Sequence, residues 1–438
     1  KTAYEMLRSL VGSEMCIRDR FYTMKIAIIG SGISGLTAAY LLHKEHDITV
    51  FEANDYIGGH THTHEIELDK KKWLIDSGFI VYNENTYPNF IKLLQRLKVD
   101  TQKTSMGFSV KAPEKNFEYS GGSLNSLFAQ RLNIFRPSFL LMLKDIIKFN
   151  RLSVAELNSL RESTTIHDFL ITHKFSKSFI ENYIIPMGAA IWSTAADKTT
   201  EMPAVFYIKF FKNHGLLQIF NRPQWFVIKG GSKAYVPKII AGFKHKILLS
   251  TPVKRVIRGK NNIGIVCEKN EATHQFDKVI FATHSDQALA LLETPSVEEA
   301  KILGALPYQK NIALLHTDVS ILPKKKSTWS SWNYLLSKDQ SKPVTLTYNM
   351  NILQSLRSKV DFLVTLNSNG EISPSKIIKT LVYHHPLFTV EGVEAQKEKG
   401  QINGVNNTFY CGAYWGNGFH EDGVNSALDV CKFFDKAL

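Results

Sequence analysis

The chain has 438 residues, a formal net charge of +13 and four cysteines, at positions 16, 267, 411 and 431. Cysteines without paired spacing argue against a disulfide framework or a zinc site and suit a reducing cytosol, and no apolar run reaches the ~18 residues that a spanning helix needs. The basic balance favours anionic partners, but Lys70 to Lys72 and Lys324 to Lys326 read as solvated loops, and no nucleic-acid-binding motif is present.

Residues 1–23 lack a signal-peptide core, and 10–20 resemble translated adapter sequence, so this stretch is expected to be a non-native leader ahead of Met24. A short apolar strand, 25–30, then runs into Gly30-Ser31-Gly32-Ile33-Ser34-Gly35, a helix pattern over 36–42 and a second strand, 48–52. Such glycines serve a tight turn, close backbone approach to a diphosphate, and close packing of helix on strand. The helix start offers free N–H groups to that diphosphate. Glu52, 22 residues after Gly30 and followed by Ala53, stands where a carboxylate bonds the hydroxyls of an adenosine ribose. This is a dinucleotide-binding turn.

The next loop, Gly58-Gly59-His60-Thr61, gives a second close backbone approach and favours FAD over NAD. His60, His62 and His64 alternate and would share one face of a strand; with no further ligand in the spacing, no metal is expected. Residues 72–82 read as a strand pair turning at Asp76-Ser77-Gly78, and 89–99 as a helix with Phe90, Leu93, Leu94 and Leu97 inward. Residues 124–170 are mostly helical and rich in Phe, Leu and Arg, which fits a substrate-binding cap. Within them 127–151 interleaves basic residues with a large apolar load, either as a core helix pair or as a surface lying on an anionic membrane. The small residues of 185–193 line a cavity or let helices touch.

Residues 227–235 read as a strand, a Gly-Gly turn and a helix start, and 276–283 as a buried parallel strand ending at Ala282-Thr283, where a doubly wound sheet places its ligands. The strand-like stretches 313–317, 344–348 and 362–366 form the sheet of a second domain. A strand end at 408–412, a glycine- and aromatic-rich loop to Gly423 and a helix over 424–434 close the chain, the helix start presenting unpaired N–H groups.

On the glycine turn, the acid and the second glycine pair, the chain resembles the flavin-containing amine oxidase superfamily. The phrases Asp76-Ser-Gly-Phe-Ile-Val-Tyr-Asn-Glu-Asn-Thr-Tyr-Pro88, Pro186-Met-Gly-Ala-Ala-Ile-Trp-Ser193, Leu315-His-Thr-Asp318, Ser331-Trp-Asn-Tyr334 and Cys411-Gly-Ala-Tyr-Trp-Gly-Asn-Gly-Phe-His-Glu-Asp-Gly423 resemble a bacterial subgroup of amine-oxidase-like proteins, often encoded beside cyclopropane-fatty-acid-synthase-like methyltransferases. The likeness runs from Met24 to the end. It departs from the superfamily at Tyr56, where arginine is usual, and at His60, where arginine is common, so a bidentate fork for phosphate is missing.

The resemblance implies an α/β fold: an FAD-binding Rossmann-like, doubly wound, mostly parallel sheet domain assembled from residues 24–85, 225–285 and 405–438. It further implies a mixed α+β substrate domain from 86–224, bearing the helical cap, and 286–404. It places Gly78 close to the flavin ring, Val253 on the adenine, and Gly412, Glu421, Gly423 and Val424 at the pyrimidine edge, where the helix start stabilises negative charge. His420 and Tyr414 would exchange a proton or position substrate, or simply pack, and Trp415 would wall the ring. Lys310 falls near the stretch where amine oxidases proper hold a water by lysine, and Trp192 and Tyr348 are candidate cavity residues.

The implied activity is that of an FAD-dependent oxidoreductase removing hydride from an apolar substrate such as an acyl chain or phospholipid, with dissociable FAD. The alternatives are a flavin amine oxidase and a non-catalytic flavoprotein partner of a lipid methyltransferase. Expected partners are a small-molecule or lipid substrate, an anionic membrane touched peripherally and a neighbouring methyltransferase, with no nucleic acid. The expected location is cytoplasmic, at the inner face of the membrane.

Overall fold

The computed structural model describes residues 23–218, 221–260, 262–268, 270–336 and 345–438. The expected leader lies outside these residues but for its last position.

Strand β1 (Lys25–Ile29) is buried at four of its five positions, the continuous apolar run that a parallel strand covered on both faces requires. It stands in the middle of a parallel sheet ordered β10 (Ile247–Leu248), β2 (Asp47–Phe51), β1, β14 (Lys278–Phe281), β20 (Thr408–Tyr410). Ile28 pairs with Val50 on one side and Ile280 on the other. The helices that touch the site or its cap are α1 (Ile33–Leu42), α2 (Pro88–Arg96), α3 (Pro137–Glu156), α4 (Ala204–Asn213) and α5 (His420–Lys432). On one face of the parallel sheet α1, α2 and α5 share a core containing Leu36, Phe90 and Val424. The other face, through Ala27, Ile29 and Phe281, packs on an antiparallel sheet of β11 (Val253–Arg258), β12 (Ile263–Cys267) and β13 (Asn270–Phe276).

A seven-stranded sheet forms the second layer, in the order β19 (Ile377–Pro386), β15 (Tyr308–His316), β18 (Leu363–Leu366), β17 (Thr345–Asn349), β16 (Trp332–Leu335), β7 (Phe108–Ala112), β8 (Phe117–Ser120). The strand expected over 344–348 is β17; Val344 lies outside the described residues. Phe139, Met142 and Phe149 of α3 share a core with Phe206 and Tyr207 of α4, Trp192 and Tyr334. Gly188 lies under the Tyr207 ring, so the small residues of 185–193 let helices touch.

One expected element folds differently. Residues 72–82 do not turn back on themselves at Asp76-Ser77-Gly78. Instead β4 (Lys71–Asp76) pairs with β3 (Thr63–Leu68), and β5 (Val81–Asn83) crosses to a separate sheet with β9 (Trp225–Ile228) and β6 (Thr101–Thr104). The Asp76 carboxylate holds the crossing point. It accepts from the Thr63 hydroxyl at 2.5 Å, the Ser232 N–H at 2.8 Å and the Gln354 amide at 3.2 Å. Burial pushes this carboxyl up to about 6 against those bonds.

Candidate functional site

All five parallel strands end on the same edge, and the loops leaving that edge carry most of the sequence-predicted positions. Gly30 leaves β1 with φ +103°, a conformation that glycine adopts without strain, and a Cβ there would stand 2.7 Å from the Ala282 carbonyl oxygen that leaves β14. Gly32 precedes α1, and a Cβ built on it meets nothing within 4 Å. Gly35 by contrast sits against the Gly30 carbonyl, locking helix to strand. Ser31 gives its N–H (2.9 Å) and hydroxyl (2.6 Å) to Glu52 Oε2, while Asn54 donates N–H and side-chain amide to Oε1. Glu52 is thus fixed, 5 % exposed, at the end of β2, with Ala53 exposed beside it.

The second glycine loop closes over the first. A Cβ on Gly59 would stand 3.2 Å from the Gly32 Cα, and the Gly58 N–H reaches the Ser31 hydroxyl at 3.4 Å. Gly78 runs against the His60 carbonyl, which also accepts from the Phe79 N–H at 2.7 Å. The chain's last helix joins from the other side. A Cβ on Gly423 would stand 2.7 Å from Ile33 Cγ2 and 3.0 Å from Ser34 Oγ, so the start of α5 rests on the start of α1. The opening turn and the closing loop are therefore neighbours. Gly412 donates its N–H to Ser426 Oγ at 2.9 Å, and Val424 is fully buried.

His420, Tyr414 and Trp415 lie in this closing loop and helix start. The His420 ring stacks on Phe79 at 3.6 Å between centroids and meets Phe90 edge-on. Its Nε2 shares a proton with the Thr61 hydroxyl at 3.0 Å, and that hydroxyl also bonds Tyr235 at 2.6 Å. Burial holds the imidazole well below its ordinary range, so it is neutral. Tyr414 is fully buried, its ring 4.9 Å from that of Trp415. Glu421 turns its carboxylate to the start of α2, accepting from the N–H groups of Asn89 (3.0 Å) and Phe90 (2.8 Å), and so meets the chain as a helix cap. Val253 opens β11 on the far face of the parallel sheet, beside Cys267. Lys310 is exposed on β15, while Trp192 and Tyr348 belong to the cap core.

The structure adds residues that the sequence order hides. His284 follows Ala282-Thr283, and His384 and His385 end β19. Together with His60, Tyr308 and Tyr383 they form one cluster, His60 lying 5.5 Å from His385, 6.4 Å from His284 and 5.1 Å from Tyr383. His284 stacks on Tyr308 at 4.1 Å. Burial first, and then the charges of the neighbouring imidazoles, pull His60 down to about 4 and His284 and His385 to about 3. All three are neutral at neutral pH. His62 and His64 lie 4.1 Å apart but bond Tyr383 and Ser77, and among the described residues no group of three or more His, Cys, Asp or Glu is placed to hold a metal.

Three buried polar atoms here, His60 Nε2, Tyr414 OH and Trp415 Nε1, lack a hydrogen-bond partner of full geometry. Orphaned buried groups are costly and rare, so several in one region ask for a missing partner. With the open cradle at Gly32 and the fixed Glu52, they fit an elongated dinucleotide with a polar ring at one end. A separate cavity of about 340 Å³ beside α5 is lined by Asn85, Asn89, Asn213, Asn417 and Asn425 with His214 and Asp422, a polar lining unlike the apolar cap core.

Residues 33–331 match the family described as flavin containing amine oxidoreductase. The chain is 21% identical over 324 residues to the L-amino-acid oxidase of Siganus canaliculatus, covering 67% of this chain and 56% of that protein. It is 52% identical over 42 residues to the tryptophan 2-monooxygenase of Allorhizobium ampelinum, 9% of this chain and 6% of that protein. The chain thus spans little more than half the length of the longer-matched relative. Among solved structures, the CLA-producing fatty acid isomerase from P. acnes superposes with TM-score 0.67 at 16% identity, covering 94% of this chain and 98% of that one. Cyclohexylamine oxidase from Brevibacterium oxydans does so with TM-score 0.67 at 15% identity, covering 94% and 100%. At these identities the likeness is one of fold.

Proposed function

The chain belongs to the flavin containing amine oxidoreductases, a family of FAD-dependent enzymes, and from that premise we propose that it oxidises an apolar substrate by removing hydride from a C–H bond. FAD, when bound, takes up the two electrons and passes them to oxygen or another acceptor. The chain's own residues bind, orient and dry the site. Gly30, Ser31, Gly32, Ser34 and Gly35 with the start of α1 receive the diphosphate, Glu52 the adenosine ribose and Val253 the adenine. Gly58, Gly59, His60, Thr61, Gly78, Ala282, Thr283, Gly412, Gly423 and Val424 line the remaining length. We assign the FAD-binding part to residues 24–85, 225–285 and 405–438 and the substrate part to the intervening segments.

The observation that carries this reading is the set of buried polar atoms without full hydrogen-bond partners on His60 of the second glycine loop and on Tyr414 and Trp415 of the closing loop. The Tyr414 hydroxyl, which faces the Trp415 indole N–H, keeps its own donor for the ring or the substrate. His420, neutral and bonded to Thr61, acts as a positioning residue that holds the loop against the ring. The neutral imidazoles of His60, His284 and His385 line this region as uncharged hydrogen-bonding groups that position substrate without taking up a proton at neutral pH.

The cap core of Trp192, Phe206, Tyr334 and Phe388, with Tyr348 packed on it, supports an apolar substrate of acyl-chain or phospholipid type, acting in turn with a neighbouring lipid methyltransferase. A second reading, amine oxidation, draws on the half-buried Tyr308 and the fully buried Tyr414, whose rings meet edge-on at 6.5 Å and bring aromatic surface to the site for a cationic amine. The test is flavin bleaching under anaerobic conditions. Phospholipids with unsaturated or methylated acyl chains should bleach the bound flavin and a panel of amines should not; the reverse establishes the second reading. No bleaching with either class sinks both.

A further inference from the structure

Helix α3 is apolar on two sides. Phe139, Met142 and Phe149 fill the cap core, which accounts for one face. The opposite face is also apolar and has nothing over it. Leu140, Ile147 and Val154 are 45 %, 52 % and 52 % exposed, and their spacing of seven residues sets them in one stripe along the helix. Lys144 and Arg151 fall in the same stripe, one turn after Leu140 and Ile147, and among the described residues neither is ion-paired. The turn that leads into the helix, Arg131–Phe135, is more exposed still: Leu132 and Phe135 each show 80 % of their surface.

Charge points to the occupant. Residues 124–156, to the end of α3, carry five basic side chains, Arg131, Arg136, Lys144, Lys148 and Arg151, and two acids, Asp145 and Glu156. Asp145 is buried and accepts from the Ser176 N–H at 2.9 Å, and Glu156 meets His173 Nε2 at 2.9 Å. Lys148 is half-buried and donates to the His173 carbonyl, so the outward face offers protruding leucine and phenylalanine beside the exposed Arg131, Lys144 and Arg151, with both acids of the segment engaged elsewhere. A second protein surface or a second copy of this chain would have to bury those cations. A bilayer takes the apolar side chains among its acyl chains and the cations among its phosphates at once. Among the described residues no helix is long and apolar enough to cross a membrane, so the contact is one of lying on the surface.

We propose that the turn Arg131–Phe135 and the outward face of α3 form a docking surface for an anionic phospholipid bilayer, Leu132 and Phe135 inserting and Arg136, Lys144 and Arg151 meeting headgroups. This goes beyond the catalytic reading and does not depend on which substrate is oxidised. The inward face of the same helix borders the apolar cap core, so docking would set that core beside the acyl layer.

The FAD-loaded protein tests this by co-sedimentation with vesicles of phosphatidylcholine alone and of equal parts phosphatidylcholine and phosphatidylglycerol. Binding is expected to the mixed vesicles, weakening as salt is raised and at least about tenfold weaker to phosphatidylcholine alone. The double variant Lys144→Glu, Arg151→Glu should weaken binding to mixed vesicles roughly 30-fold or more. Leu132→Ser with Phe135→Ser should abolish it while leaving flavin absorbance and melting temperature unchanged, since both side chains are exposed. Failure of the unaltered protein to bind mixed vesicles overturns the proposal. So does equal binding by both double variants, or a dimer in solution that the Leu132→Ser, Phe135→Ser variant dissociates.

Discussion

Gly32 separates what the opening turn does for folding from what it does for the cofactor. Its φ of −68° suits any residue, and a Cβ there meets no atom within 4 Å. Alanine at this N-cap position should therefore cost the ligand-free fold no more than about 1 kcal/mol, through weaker capping partly offset by a stiffer unfolded chain. The open space is where the diphosphate must come. A backbone N–H bonds an oxygen at about 2.9 Å, whereas a methyl carbon keeps its neighbours near 3.5 Å or beyond, so the added carbon pushes phosphate out of hydrogen-bond reach. Loss of two such charge-assisted bonds weakens FAD binding on the order of 100-fold or more. The assay is calorimetric titration of the apoprotein with FAD beside its thermal melt. Gly35→Ala is the contrast, because its new carbon would stand against the Gly30 carbonyl and should unfold the turn with or without FAD. Unchanged FAD affinity in Gly32→Ala, at full occupancy, would refute the placement of the diphosphate over this turn.

Three further outcomes follow from the geometry. The buried Arg258 guanidinium bonds both Glu299 oxygens, at 2.6 and 2.9 Å, and Tyr410 gives its hydroxyl to the same carboxylate at 2.7 Å; Arg258→Ala strands that charge and should lower stability by about 3–5 kcal/mol in urea melts, leaving flavin reduction unchanged. His60, His284 and His385 have pKa values lowered by burial from 6.5 to about 3–4. Below pH 6.5 the unfolded chain takes up protons that the folded chain refuses, so stability holds above pH 6.5 and falls as the pH drops toward 4. Melting temperatures that stay level from pH 7 to 4 would show these rings to be solvated. Finally, His420→Ala should keep FAD bound, lose the Phe79 stacking and slow flavin reduction in stopped flow; unaltered reduction kinetics would remove His420 from the mechanism.

The sequence by itself determined what is local. The run Gly30 to Gly35 with Glu52 after it could be read as a dinucleotide turn because strand, turn, helix and acid follow one another within about thirty residues, and their geometry follows from backbone conformation and spacing. The helix that closes the chain was legible for the same reason. Its contact with α1 through Gly423, however, joins residues nearly four hundred positions apart, and only the parallel order of β1, β14 and β20 brings them together. The turn at Asp76-Ser77-Gly78 has every local mark of a hairpin, yet β5 pairs with β9 because Asp76 is anchored by Ser232 and Gln354 from distant segments. The imidazole cluster was out of reach for a related reason. His60, His284 and His385 arrive on three separate segments, and the pairing of β15 with β19 sets where His385 falls. Residue order fixes spacing along a strand, whereas neighbours across sheets are chosen by the packing of the whole chain.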